Sequence, residues 1–162
     1  MPRFLCAAFA ALALMLPFSA VGQSVSFGQR ADVKAPVEVT ADNLSVDQAS
    51  GLATFTGNVV IGQGAMRLAA DKVTVTYAQG GQNRISALQA TGNVTLVNGP
   101  DAAEAARADY SVDSGNVILT GDVVLTQGQN VLSGETVEVN LATGTANVAG
   151  RVRSVFQPES RP

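Results

Sequence analysis

The chain has 162 residues, of which 46% are hydrophobic and only 5% are aromatic, and its formal net charge is −3. It contains no histidine and no tryptophan, and its one cysteine is Cys6. A mildly acidic chain with dispersed Lys and Arg lacks the basic face that nucleic-acid binding needs, and the lack of histidine leaves few side chains for general-base catalysis.

The N-terminal segment has the layout of a secretory signal peptide. Arg3 is followed by an apolar run over residues 4–16 and then by small residues up to Gly22. A charged start, an apolar centre and a small-residue cleavage site are typical of signal peptides, whereas a membrane anchor, the alternative, needs about 20 apolar residues. We therefore predict a signal peptide over residues 1–22. The mature chain would start at Gln23 without cysteine, and an exported chain of this kind fits the bacterial periplasm or the cell exterior.

The next residues divide into an arm, a strand-rich domain and a tail. Residues 23–35 are polar without a hydrophobic period, which predicts a flexible N-terminal arm. Val37 and Val39 alternate with polar residues, which predicts a short strand at the start of a domain over residues 36–156. Residues 157–162 are polar and include two prolines, so we expect a frayed C-terminal tail.

A short alternating strand pattern with a glycine at its centre recurs four times in this domain. The copies are centred on Gly57, Gly92, Gly121 and Gly150, which lie 35, 29 and 29 residues apart. Alternation is typical of a half-buried strand, and a glycine in the apolar phase marks a bend, a bulge or the close approach of another backbone. We therefore predict that these four glycines mark a bend repeated in successive strands.

Each glycine strand follows a unit made of a small residue, an acidic residue, a short strand and a tight turn. Asp42, Asp71, Asp109 and Glu135 are assigned to equivalent places in the four units. Acids repeated in this way are expected to end strands or support turns, because a catalytic pair would break the repeat. A period of about 30 residues also predicts a repeat architecture in which neighbouring units bury each other's apolar faces.

No segment shows a sustained helical period, so the predicted fold class is all-β with many short antiparallel strands. The Ala- and Glu-rich residues 101–107 could form one helical turn, although Pro100 and the strand that follows argue against it. A jellyroll of stacked V-shaped strands and a β-solenoid both fit the repeat. Either would be open at both ends, and residues 37–40 and 148–156 would then be unpaired edges that invite head-to-tail pairing.

The expected apolar face is made mostly of small and medium side chains. Two-layer β cores are usually filled by larger residues, so this face could leave a groove between two bent sheets that would suit acyl chains. A thin and fully packed core fits the same composition. Two other functions therefore stay open: a structural or adhesive β-repeat protein without cargo, and an enzyme that acts on surface glycans through paired acids such as Asp71. No nucleotide or cofactor motif is recognisable, so no cofactor is expected.

The order of motifs along the domain resembles the OstA-like family of lipopolysaccharide-transport proteins. The motifs combine a small residue, an acid and the glycine strand, and their combination is more specific than any single Thr-Gly-Asn-Val. In chain order they are Ala41-Asp42, Phe55-Thr56-Gly57-Asn58-Val59, Gln63-Gly64, Ala70-Asp71-Lys72-Val73, Ala108-Asp109-Tyr110, Leu119-Thr120-Gly121-Asp122, Gly134-Glu135 and Gly150-Arg151-Val152. The resemblance covers residues 36–156, nearly the whole mature chain.

The resemblance implies both a fold and a function. The fold would be an OstA-like β-jellyroll of stacked V-shaped antiparallel strands, open at both ends. The protein would be periplasmic and would carry lipopolysaccharide from the inner to the outer membrane, with the lipid A acyl chains in an apolar groove and the sugars outside. It would associate head to tail with itself, with an inner-membrane jellyroll partner and with the N-terminal jellyroll of the outer-membrane translocon. It would catalyse no reaction, since the energy would come from an ATPase elsewhere in the pathway.

The resemblance also implies which side chains face the lipid. Val37 falls on the first inward strand, and Phe55 shares the inward phase of the first glycine strand. The full set of lipid-facing candidates is Val37, Val39, Phe55, Val59, Ile61, Val94, Leu96, Tyr110, Val112, Leu119 and Val123.

Overall fold

In a computed structural model of the protein, the structure describes residues 24–80 and 84–158. The predicted signal peptide lies outside these residues, as do the last four residues of the predicted tail. Within the described ranges, no helix is long and apolar enough to cross a membrane.

The described residues form one antiparallel sheet of eleven strands. These are β1 (Ser24–Ser26), β2 (Glu38–Thr40), β3 (Asn43–Asp47), β4 (Leu52–Gln63), β5 (Met66–Tyr77), β6 (Ile85–Asn98), β7 (Asp101–Ser111), β8 (Asn116–Gln127), β9 (Asn130–Asn140), β10 (Thr145–Ala149) and β11 (Arg153–Val155). Strands β4 to β10 pair with their chain neighbours, β1 pairs with β10, β2 and β3 pair with β4, and β11 pairs with β9. The predicted all-β fold is confirmed, and residues 101–107 belong to β7 rather than to a helical turn.

Three of the four repeated glycines, Gly57, Gly92 and Gly121, lie at β-bulges, and Gly150 directly follows the last residue of β10. Gly57 and Asn58 in β4 together oppose the single residue Asp71 in β5. Both bulge residues have positive φ, 81° and 45°, a conformation that glycine adopts at little cost. The register shifts in the same way around Gly92 in β6 and Gly121 in β8. Because a bulge bends its strand and increases its twist, a row of bulges folds each long strand into two halves.

The row of bulges divides the sheet into two half-sheets, which we call the first and second wings. The strand halves of the first wing meet at the turns around Gly64, Gly99 and Gly128, and those of the second wing meet at turns that include Gly115 and Gly144. Apolar residues alternate along both wings and pack into one buried cluster between them. Burial of apolar surface, at about 25 cal/mol per Å², therefore holds this V together, since a chain with one cysteine forms no internal disulfide.

The residue that faces the third bulge is Ala106 and not Asp109, which corrects the assignment made from the sequence. A Cβ placed on Gly121 would lie 2.7 Å from the Cβ of Ala106. Asp109 lies further along β7, where Arg107 donates hydrogen bonds to it on the outer face. The residue at the bulge follows Ala105 and is itself an alanine, so the third unit has no acid there, and only the strand register reveals which residue occupies the place.

The segment predicted to be a flexible arm instead runs across the open side of the V. We call residues 25–36 the strap. At its start, β1 pairs with β10 of the second wing, and at its end the chain enters β2, which pairs with β4 of the first wing. The side chain of Phe27 is fully buried in the core between the wings. The strap therefore links the two wings along the side where the V would otherwise be open.

Candidate lipid-binding site

The predicted lipid-facing residues all lie on the inner faces of the two wings. The members that belong to the buried core are Val59, Ile61, Val94, Leu96, Tyr110, Leu119 and Val123. The members that are partly buried and pack against that core are Val37, Val39, Phe55 and Val112. The structure thus brings the whole set into one apolar surface, while their contact with lipid stays a prediction.

This inner surface contains more residues than the sequence reasoning identified. The additional buried side chains from β5 and β9 include Met66, Leu68, Val73, Val75, Leu132, Val137 and Val139. These strands alternate as regularly as the glycine strands, so the period of two could have identified them. Phe27 and Gln63 gave no such signal, because Phe27 lies in a polar segment and Gln63 is a polar residue that is buried.

The inner surface is packed in the middle of the stack and exposed at both ends. Val94, in a central strand, is buried. At the N-terminal edge, Leu44 and Val46 of β3 pair with inner-face positions of β4 and are 56% and 59% exposed. At the C-terminal edge, Val152 and Phe156 flank the inward position of β11 and are 42% and 63% exposed. Apolar residues left bare at both ends of a buried surface indicate docking sites at those ends.

A cleft of about 460 Å³ opens between the strap and the second wing. Val33, Pro36 and Val37 line it on one side, and Ile85 and Val112 line it on the other. Its volume falls within the range of ligand pockets, about 300–1,000 Å³. Two of the predicted lipid-facing residues, Val37 and Val112, therefore line a cleft that is open to solvent.

The rim of the cleft is charged. Lys34 and Arg84 lie there, and Arg84 forms an ion pair with Asp113 in which both side chains are more than half exposed. Exposed pairs of this kind contribute only about 0–1 kcal/mol, so Arg84 can exchange its partner for another anion at little cost. An apolar interior with a basic rim suits an amphiphile that has an anionic head group.

A buried polar contact joins the two wings beside this cleft. The Tyr110 hydroxyl of the second wing donates a hydrogen bond to Oε1 of Gln63 in the first wing. Gln63 in turn donates from Nε2 to the strap carbonyls of Val33, at 2.8 Å, and Ala35, at 3.0 Å. Desolvation of the phenolate raises the pKa of Tyr110 above its usual value. The hydroxyl therefore stays protonated and available as a donor at neutral pH.

The acids on the outer ridge have structural partners. Asn58 donates a hydrogen bond to Asp42 at 2.9 Å, and Asn93 donates one to Asp71 at 2.8 Å. Each carboxylate also lies against the Cα of a bulge glycine, where a Cβ would not fit. Among the described residues, no group of three or more His, Cys, Asp or Glu side chains could hold a metal ion. Asp42 and Asp71 thus have the structural role that the repetition of the acids predicted, although they hold bulges and not turns.

Asp109 forms a separate outer-face pair. Arg107 donates two hydrogen bonds to it at 2.8 Å, and Gln89 donates one at 3.0 Å. The hydrogen bonds from Arg107 are the main cause of a lowered Asp109 pKa, and burial partly opposes them. Since the pair lies on the outer face, it has no part in the apolar surface inside.

Comparison with known proteins identifies the family. A sequence profile described as the LptA/(LptD N-terminal domain) LPS transport protein family matches residues 38–145. The chain belongs to this family. An uncharacterized protein of Rhizobium meliloti is 31% identical over 136 residues, which is 78% of this chain and 73% of that one. The lipopolysaccharide export system protein LptA of Escherichia coli is 30% identical over 131 residues, which is 76% of this chain and 70% of that one.

A solved structure of the LptA/LptD N-terminal family has the same fold. The crystal structure of LptH from Pseudomonas aeruginosa, a periplasmic component of the lipopolysaccharide transport device, superposes with a TM-score of 0.70 at 22% sequence identity. The match covers 79% of this chain and 99% of LptH. The resemblance seen in the motifs and the predicted jellyroll, rather than the solenoid, are both confirmed.

Proposed function

We propose that this protein binds lipopolysaccharide in the periplasm and carries it from the inner towards the outer membrane, with its acyl chains on the inner surface of the V and its sugars outside. The observation that carries the proposal is an apolar surface that continues along the whole stack and is bare at both ends. Membership of the LptA/LptD N-terminal family supports the same function. Related proteins named for lipopolysaccharide export, such as LptA of E. coli, support it further.

The chemistry of the inner surface fits acyl chains. Its buried side chains are almost all aliphatic, and the charged pairs Arg107–Asp109 and Arg151–Glu135 lie outside. Each methylene that moves from water onto such a surface contributes about 0.8 kcal/mol. Binding would therefore depend on chain length more than on specific polar contacts. The protein itself would hydrolyse nothing in this scheme, and the energy would come from an ATPase elsewhere.

The two ends of the stack would join copies of the jellyroll head to tail. Strand β3 has every residue exposed and only one strand neighbour, and β11 is likewise paired on one side. Unpaired edges of this kind pair readily with another strand. Since β3 lies in the second wing and β11 in the first, each would meet the edge of the corresponding wing in the next copy. Joining the copies would cover the exposed Leu44, Val46, Val152 and Phe156, so that the apolar surface continues from one copy to the next. The same edges would suit an inner-membrane jellyroll partner and the N-terminal jellyroll of an outer-membrane translocon.

A structural or adhesive repeat protein with a closed core is the second candidate. The observation in its favour is that the middle of the core is fully packed, with Leu96 and Leu119 inaccessible to solvent. The two candidates differ in one respect that can be measured, which is whether lipid reaches the inner surface.

Photo-crosslinking distinguishes them. A benzophenone amino acid is placed at Val37 or Val112, which line the cleft, and at Thr95 on the outer face as a matched control. With purified lipopolysaccharide, we expect ultraviolet-dependent adducts at Val37 and Val112 and few at Thr95. Adducts at Thr95 alone would contradict lipid carriage inside the V. The absence of adducts at all three would favour the closed repeat protein.

A further inference from the structure

The strap is held to the first wing by side chains from the ends of successive strands. In order along the strap, Gln127 bonds to the backbone of Ser26, Asp101 to that of Gly28 and Asn98 to that of Gln29. Gln63 bonds to the backbone of both Val33 and Ala35. These contacts run over the length of the strap. Beyond Ala35 the chain continues directly into β2, which pairs with β4 of the same wing.

The strap is held to the second wing over a shorter length. After β1, the backbone amides of Phe27 and Ala31 donate to the carbonyls of Gly144 and Leu141, each at 2.8 Å. Between residues 32 and 36 the described part of the chain shows no hydrogen bond from the strap to this wing. Val33 lies there against Gly115, and the cleft of about 460 Å³ begins beside it. Over residues 32–36, therefore, hydrogen bonds in the described part of the chain join the strap to the first wing and not to the second, although β1 and Phe27 tie its start to the second wing.

The contact between the strap and the first wing contains a buried polar atom without a hydrogen-bond partner among the described residues. Asn98, which is fully buried under the strap, donates from Nδ2 to Gln29, but its Oδ1 has no hydrogen-bond partner within the described part of the chain. A buried acceptor without a partner is unfavourable. Because Asn98 belongs to the first wing and holds Gln29 there, this defect neither favours nor opposes detachment of residues 31–36 from the second wing.

The proposed function requires some opening of the V, because the middle of the inner surface is filled by its own side chains. Since the strap is bound to both wings, the wings cannot separate along the open side of the V unless the strap leaves one of them. We propose that residues 31–36 of the strap form a closure that detaches from the second wing to admit acyl chains, starting at the cleft. This inference rests on lipopolysaccharide binding as the proposed function and adds the place and direction of opening.

Two engineered disulfides test the direction of opening. A Cβ on Gly115 would lie 3.0 Å from Cγ1 of Val33, so Val33→Cys with Gly115→Cys ties the strap to the second wing. A Cβ on Gly64 would lie 3.6 Å from the Cβ of Asp32, within the disulfide range of about 3.5–4.5 Å, so Asp32→Cys with Gly64→Cys ties it to the first wing. Both glycines have positive φ, 70° and 56°, so the strain of the substitution is matched.

The assay is equilibrium binding of purified lipopolysaccharide to each protein, oxidised and then reduced with dithiothreitol. For the Val33–Gly115 pair we expect oxidation to weaken binding about tenfold or more, equivalent to about 1.4 kcal/mol, and reduction to restore it. For the Asp32–Gly64 pair we expect the two forms to bind alike. Equal binding by both forms of the Val33–Gly115 pair would overturn the proposed closure. If the wild type and all reduced variants failed to bind, the proposed function would fall and the closure with it.

Hydrogen exchange on the wild-type protein gives a second test that needs no variant. Detachment from the second wing breaks the bond from the Ala31 amide to Leu141. Lipopolysaccharide should therefore speed exchange at Ala31 and leave the amide of Leu96 in the central strand β6 protected. Slower exchange at Ala31 on addition of lipopolysaccharide would contradict detachment.

Discussion

Replacing a bulge glycine tests the structural basis of the V. In Gly92→Ala, φ of 80° places an L-residue in the left-handed region, which costs about 1–2 kcal/mol. The new Cβ would lie 2.6 Å from Oδ2 and 3.0 Å from Cβ of Asp71. Forcing these atoms apart adds about 1–3 kcal/mol, the usual cost of overpacking. The free energy of unfolding should therefore fall by about 2–5 kcal/mol.

Gly128→Ala is the matched control for this substitution. Gly128 has φ of 58°, and a Cβ there would meet no atom within 4 Å, so only the conformational cost of about 1–2 kcal/mol applies. The effect of alanine on the unfolded chain is the same in both variants and cancels. Urea unfolding followed by far-ultraviolet circular dichroism measures both. Equal losses of stability in the two variants would refute the close approach of Asp71 as a reason for glycine at position 92.

Three further predictions concern the core contact, the strap and the ends. Tyr110→Phe leaves Oε1 of the buried Gln63 without its donor and should cost about 1–3 kcal/mol in urea unfolding. Because the folded-state pKa of Tyr110 is raised, its contribution to stability should be complete below the ordinary value of 10.0 and decline as pH rises through the folded pKa. The free energy of unfolding of Tyr110→Phe should decline less over this pH range. Identical pH profiles for the two proteins would contradict the burial argument. Phe27→Ala removes the fully buried anchor of the strap and should speed proteolysis within residues 28–36 without unfolding the sheet; unchanged cleavage would show that Phe27 is not the anchor. Leu44→Asp with Val46→Asp should weaken self-association in sedimentation experiments at an unchanged monomer fold, and undiminished association would place the interface elsewhere.

Alternation along the chain was enough to predict the sheet and much of its inner surface. Val59 and Ile61 are buried while Val60 between them is 41% exposed, as a period of two requires. The repeat also located the bulges, because glycine in an apolar phase is unusual unless the backbone needs its freedom. Gly57 and Gly92 both have positive φ and both lie against an acidic side chain.

The register and the strap could not be predicted in the same way. In the alanine-rich strand β7, the sequence did not separate Ala106 from Asp109 as the residue opposite the third bulge, because that choice depends on pairing with β8. The strap has no period, and Phe27 is buried by contacts with residues distant in the chain. Its polar anchors, such as Gln63 and Asn98, become visible only when the strand ends are placed side by side.

The packing of the core explains why apolar residues are exposed at the two ends of the stack. A stack of bent strands buries its inner surface only where it has a neighbour on both sides, so the first and last strands expose theirs. In an isolated copy, the partly exposed Val39 and Phe55 mark this transition at the N-terminal edge. A second jellyroll at either end would complete the burial, which makes end-to-end assembly favourable whenever the strand edges can pair.

The most direct test of acyl chains inside the V uses tryptophan fluorescence, because the native chain contains no tryptophan. A single tryptophan is placed at Val112 on the inner surface or at Thr95 on the outer face, and lipopolysaccharide with brominated acyl chains serves as a short-range quencher. We predict strong quenching at position 112 and little at position 95, and no quenching at either position by the same lipid without bromine. Equal quenching at both positions, or quenching at position 95 alone, would contradict the binding of acyl chains between the wings.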